Sequence, residues 1–134
     1  MDEGIADRDW PLSVNRPLFA ILDEAVARHG DRPAISFFGR VWTYRQLGDL
    51  VSRAAAGLAA LGVRRNTRVG LCMPNSPYSV IFYYAVLRAG GIGVNFSPLY
   101  VERELTHQLR DSGTEIMIVP DLAALPTISK DGLV

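Results

Sequence analysis

Apolar residues recur along the chain first at helical spacing, then in short solid runs, and the two patterns alternate. From Leu18 to His29, Leu18, Ile21, Leu22, Ala25 and Val26 share one helical face, and Gly30 is a natural stop. The segment PAISFFGRVWTY then carries two short runs rich in β-branched and aromatic residues around Gly39-Arg40, which predicts a β-hairpin. Thr43 with Gln46 three residues on is a capping-box pattern that opens a helix. Its stripe is Leu47, Leu50, Val51, Ala54, Leu58 and Leu61, and Gly62 ends it. A helix this amphipathic needs another layer to cover it.

The second half alternates strand and helix, with no internal repeat in its sequence. Arg68 to Met73 is a nearly wholly apolar run, as in a strand buried on both faces. Asn75 or Ser76 caps the next helix, with Pro77 at its first position, where the missing N–H costs nothing. That helix runs through Val80, Ile81, Tyr84 and Leu87 to Gly90-Gly91, and Ile92 to Phe96 is a second buried strand. Pro98 turns the chain, a charged helix covers about Val101 to Asp111, and Glu115 to Val119 is a third strand. After Pro120 a further helix begins. Strand, helix, strand, helix, strand predicts parallel pairing with right-handed crossovers. The expected fold class is therefore α/β: three layers, a mainly parallel sheet with helices on both faces, and an N-terminal β-hairpin.

Composition narrows the function. With 14 basic and 14 acidic residues in 134, no concentrated positive field exists to hold nucleic acid. The single cysteine, Cys72, rules out an internal disulfide and agrees with a reducing, cytoplasmic compartment. The leading MDEGIADRDW is acidic and has no apolar core, so it is not a secretory signal. No apolar stretch approaches the roughly 20 residues of a bilayer span, although peripheral membrane contact stays open.

Candidate chemistry is sparse. The glycines of AGGIG follow a helix and precede a strand, the wrong end for a phosphate cradle, and read as a left-handed helix cap and a close approach. His107 reads as a solvated or locally paired side chain, and His29 as a partial charge offsetting a helix dipole. Two histidines and one cysteine far apart make a poor metal site. Tyr78, Phe82, Tyr83 and Tyr84, with Trp42 and Tyr44, form an aromatic set that suits core, interface or acyl groove. Arg64, Arg65 and Arg68 read as a solvated loop.

Three segments together carry a resemblance: WTYRQL, MPNSPYSVIFYYAVLRAGGIGVNFSPLY and ERELTHQLRDSG. In this order they resemble the N-terminal part of the AMP-forming acyl-CoA synthetases, an adenylate-forming superfamily, over roughly Pro17 to Leu122. Within it, Asn95, Pro98, Leu99 and Tyr100, then Glu104, Leu105, His107, Gln108 and Leu109, are similar to the medium- to long-chain fatty acid branch. Ser97 departs from the branch's second asparagine, and Val101 from its helix-capping threonine, so Ser97 or a water is needed to supply that bond. The resemblance implies residues 1–16 as an irregular leader and 17–134 as a partial N-terminal AMP-binding domain, an incomplete piece of a larger unit. It implies ATP, Mg and CoA as cofactors of an intact enzyme, a fatty acid substrate, and the remainder of a synthetase (or a complementary chain) as partner. The family's phosphate loop, aromatic-Thr-Glu motif, ribose-binding aspartate and catalytic lysine motif are absent from these residues, and Lys130 matches none of them. No residue is therefore assigned a catalytic, cofactor-binding or metal role, and none of these cofactors is expected on this segment alone. The competing expectation is a non-catalytic binding or assembly module on the same scaffold.

Overall fold

The structure, a computed structural model, describes residues 16–120. The expected leader, apart from Arg16, and the helix expected after Pro120 lie outside them. Helix α1 (Phe19–His29) leads into a hairpin of β1 (Pro33–Phe37) and β2 (Arg40–Thr43), and then into α2 (Tyr44–Ala60). There follow β3 (Arg68–Leu71), α3 (Pro77–Arg88), β4 (Ile92–Asn95), α4 (Glu102–Ser112) and β5 (Ile116–Ile118). β1 and β2 pair antiparallel, while β3 pairs in parallel with both β4 and β5, giving the order β4-β3-β5. The α/β class, the parallel sheet and the hairpin stand as expected.

Two cores lie on the two faces of the three-stranded sheet. One joins Leu22, Leu47, Val51, Leu58, Ile81, Ala85 and Val86 from α1, α2 and α3 to Val69 and Leu71 of β3. The other joins Leu105 of α4 to Cys72 and Phe96, with Leu109, Val94 and Met117 packed against them. Each fully buried aliphatic side chain contributes roughly 1.5–3 kcal/mol before chain entropy is subtracted.

Local signals set the element ends. Thr43 and Gln46 form the capping box: Gln46 N–H donates to Thr43 Oγ1 at 3.2 Å and Thr43 N–H to Gln46 Oε1 at 2.9 Å. Ser76, not Asn75, caps α3, exchanging two such bonds with Ser79, and Pro77 stands first in the helix. α4 begins differently. Val101 has no side-chain acceptor, so only half a box forms, with Val101 N–H donating to Glu104 Oε2 at 3.2 Å. Ser97 does not replace the missing cap; its hydroxyl accepts from Leu99 N–H at 3.2 Å and shapes the preceding turn.

Several sequence expectations need correcting. Leu61 leaves the α2 stripe because the helix ends at Ala60; it caps that end in the open, and Ala55 takes the buried place. Leu18 and Ile21 are exposed, so α1 packs chiefly through Leu22 and Val26, the latter against Gly48. β4 is not buried on both faces, because it is an edge strand of the described sheet and leaves Ile92 exposed.

The hairpin turn is Phe38-Gly39, one residue earlier than expected, with φ of +46° and +76°. A two-residue hairpin turn of this hand demands that pair of positive angles. Glycine adopts one at no cost, whereas a left-handed phenylalanine costs roughly 1–2 kcal/mol. Phe38 recovers little of that by burial, being 93% exposed. Replacing it by Asn, which tolerates this backbone, is expected to raise stability by about 1 kcal/mol and the melting temperature by about 4–8 °C. A thermal melt that is unchanged or lowered refutes this.

Candidate functional site

The topology creates one natural cleft. The chain leaving β3 turns into α3 on one face of the sheet, whereas the chain leaving its neighbour β4 turns into α4 on the other. Where adjacent parallel strands send their connections opposite ways, the loops part and a crevice opens at the carboxyl ends of the strands. A cleft of about 450 Å³ lies there, floored by Leu71 and Phe96 and walled by Met73, Val80, Tyr83 and Tyr84. Its polar side chains are Asn75, Ser79 and Asn95, and Pro98 closes one side.

Hydrogen bonds hold the rim. Gln108 Nε2 donates to the Asn95 carbonyl at 2.9 Å, tying α4 to the end of β4. Ser79 Oγ donates to the Ser76 carbonyl at 2.7 Å, so this hydroxyl is already engaged. Tyr83 and Tyr84 meet edge to face, with ring centres 5.7 Å apart. Apart from the two tyrosines, the lining contains no ionisable side chain. Such a surface suits an uncharged, partly apolar group; it offers no carboxylate or imidazole for proton transfer.

The residues weighed from the sequence scatter. Gly90 has a φ of +87° at the end of α3, and Gly91 is buried, where a side chain would meet the Thr67 carbonyl and Val63; neither faces a ligand. His107 is exposed on α4, and His29 lies beside Tyr44 at the end of α1, with ring centres 6.5 Å apart. The aromatic set divides: Tyr83 and Tyr84 wall the crevice, Tyr78 is exposed, and Trp42 lies on the hairpin under the Arg40 guanidinium, 4.6 Å away. Arg64, Arg65 and Arg68 are exposed. Among the described residues no group of three or more His, Cys, Asp or Glu is placed to hold a metal. Lys130 lies outside them. The crevice itself escaped sequence reasoning; the signal that could have located it was the strand order, which composition does not encode.

Cys72 is buried in the α4-side core, and that burial pushes its thiol above the ordinary cysteine value. The thiolate is the reactive form, so Cys72 is expected to resist a thiol-specific disulfide reagent in the native chain at pH 7 and react fully in urea. Rapid native labelling contradicts that placement.

The comparisons with known proteins agree with this architecture. The model of a family described as AMP-binding enzyme matches residues 22–132. The chain belongs to this family. A long-chain-fatty-acid–CoA ligase of Bacillus subtilis (strain 168) is 43% identical over 108 residues, covering 81% of this chain and 19% of the relative. A long-chain-fatty-acid–CoA ligase of Escherichia coli O6:H1 is 39% identical over 116 residues, covering 83% of this chain and 21% of that protein. The chain thus spans about a fifth of the length of these relatives. Among solved structures, the N-terminal subdomain of Klebsiella oxytoca NpsA in complex with anthranilyl-AMSN superposes with a TM-score of 0.78 at 29% identity. That match covers 83% of this chain and 29% of the subdomain's chain. The match is to the N-terminal portion of adenylate-forming enzymes, as the three sequence segments implied.

Proposed function

We propose that this chain is framework for an ATP-dependent ligase that joins a medium- or long-chain fatty acid to coenzyme A through an acyl-adenylate. In that reaction a carboxylate oxygen attacks the α-phosphorus of ATP and pyrophosphate leaves; the thiol of coenzyme A then displaces AMP and forms the thioester. The carrying observation is the identity with two long-chain-fatty-acid–CoA ligases across nearly the whole described fold. Its own residues supply the β4-β3-β5 sheet and the crevice at its carboxyl end, which receives an uncharged part of a substrate. ATP, Mg and coenzyme A need charge-neutralising groups, and the crevice lacks them. The 134 residues alone are accordingly proposed to be inactive.

Two measurements test this. The purified chain, given oleate, Mg-ATP and coenzyme A, is expected to release no acyl-dependent pyrophosphate; release above the no-acid control overturns the inactivity. Grafting residues 22–120 in place of the matching segment of the Bacillus subtilis relative is expected to keep acyl-CoA formation within about tenfold, roughly 1.4 kcal/mol of barrier. A soluble, folded chimera without activity would point instead to the binding-module reading.

A further inference from the structure

Arg64, Arg65 and Arg68 stand within five residues, and no other five-residue stretch of the chain holds three arginines. All three are exposed, and among the described residues none makes an ion pair. Their loop is firmly built. The buried Thr67 accepts the Arg64 N–H at its Oγ1 at 3.1 Å and donates its own N–H to the Arg64 carbonyl at 3.0 Å. Asn66 N–H donates to the Gly90 carbonyl at 3.1 Å, which fastens the loop to the end of α3. Two acids lie toward Arg68: Glu115 accepts the Arg68 N–H at 3.4 Å, and Asp111 stands two residues before Gly113, beside which the Arg68 side chain runs. Residues 58–63 and 87–91, which meet the loop around Arg64 and Arg65, carry no acid.

We propose that the acidic start of the same chain docks on this loop, with Asp2, Glu3, Asp7 and Asp9 meeting Arg64 and Arg65. Residues 1–15 lie outside the described structure, and the first ten carry four acids against one base, Arg8. No other part of the chain gathers four acids in ten residues. The leader also enters the fold at the right place. The described chain starts at Arg16, three residues before Phe19, and the Phe19 ring lies under the Arg88 guanidinium, 5.3 Å away. Arg88 ends α3, and a Cβ built on Gly90, two residues on, would lie 3.3 Å from Arg65 Cα. The start of α1 and the basic loop therefore meet across the end of α3. Asp9 is seven residues from Arg16, a span of up to about 24 Å when extended, ample for the two-residue step from Arg88 to Gly90. Leu61, 73% exposed and three residues before Arg64, offers an apolar spot for Ile5 or Trp10. Opposite charges at such a surface attract modestly and are screened by salt, which makes the contact reversible.

The test is paramagnetic relaxation enhancement in the 134-residue chain, with Ala6→Cys carrying a nitroxide and the buried Cys72 left unlabelled. At low ionic strength the amides of Leu61 to Arg68 are expected to broaden, while those of Gly39 and Arg40 at the hairpin turn stay sharp. The broadening is expected to vanish near 1 M salt, where the screening length is about 3 Å. Arg64→Gln with Arg65→Gln is expected to lower the ratio of docked to undocked leader about tenfold, roughly threefold for each exposed pair. The same loss of charge through Arg40→Gln with Arg103→Gln is expected to leave that ratio nearly unchanged. Asp7→Arg with Asp9→Arg is expected to abolish the contact, and adding Arg64→Glu with Arg65→Glu to restore it. Arginines that only offset the partial negative charge at the ends of α2 and α3 would give no such rescue, so its absence overturns the proposal. Broadening of an isotope-labelled chain by a separate spin-labelled one would seat a second copy's leader there and overturns it likewise. So does broadening that survives salt or the Arg64/Arg65 change. These readings need neither nucleotide nor acyl substrate, so their outcome is independent of ligase activity.

Discussion

Val51→Asp is expected to leave the chain unfolded at 25 °C. Val51 is fully buried on α2, in the core that joins α1, α2 and α3 to β3. The core cluster that holds Val51 is built of aliphatic, aromatic and methionine side chains. An ion left unpaired there costs several kcal/mol, and protonating it still leaves an acid without hydrogen-bond partners. Domains of this size hold about 5–15 kcal/mol in total, so the loss consumes most of the margin. Far-UV circular dichroism and a urea titration read the outcome. Val51→Ala, which deletes volume without adding polarity, is expected to cost only about 2 kcal/mol. A folded Asp variant with an unchanged urea midpoint would mean that α2 does not cover α3 as described.

Gly70→Val is the second large effect, and it acts on the other face of the sheet. Gly70 lies in the middle of β3, paired with Val94 on one side and Met117 on the other. A Cβ placed there would stand 2.1 Å from Met117 Sδ, 2.9 Å from Phe96 Cε2 and 3.1 Å from Thr114 Cγ2. The methionine has freedom to swing away, but the Phe96 ring is held in the small core with Leu105 and Cys72. Overpacking of this kind typically costs 1–3 kcal/mol, and a β-branched residue stands at the upper end, so a loss of about 3 kcal/mol is expected. Gly70→Ala should cost less: its single methyl group still meets Met117 and the edge of Phe96, but it lacks the two further methyl groups of valine. The urea midpoints of the two variants decide it; equal midpoints would refute the steric account. The damage should also concentrate on α4, so Cys72 is expected to become reactive toward thiol reagents in Gly70→Val before the α2–α3 side unfolds.

Particular residues show how far the sequence was legible. Thr43, Gln46, Ser76 and Pro77 act within one helical turn, so their caps were readable and formed as expected, Ser76 resolving the choice left open with Asn75. Gly113, with φ of +63°, closes α4 for the same local reason. Leu18, Ile21 and Leu61 misled because helical spacing specifies a face but not how far a neighbouring element reaches along it. Ile92 misled because an apolar run does not say whether its strand lies at the centre or edge of a sheet. Phe38 misled because its left-handed backbone is imposed by the hairpin twist, against the residue's own preference.

The sequence by itself determined the succession of helices and strands, the parallel hand of the second half and the family, because these follow from periodicity, capping and motifs carried along the chain. Only the tertiary structure decided that β3 is central, that α3 and α4 take opposite faces, and that a crevice therefore opens between the ends of β3 and β4. The reason is physical: a strand's place in a sheet depends on contacts between residues far apart in the chain, which no local pattern records.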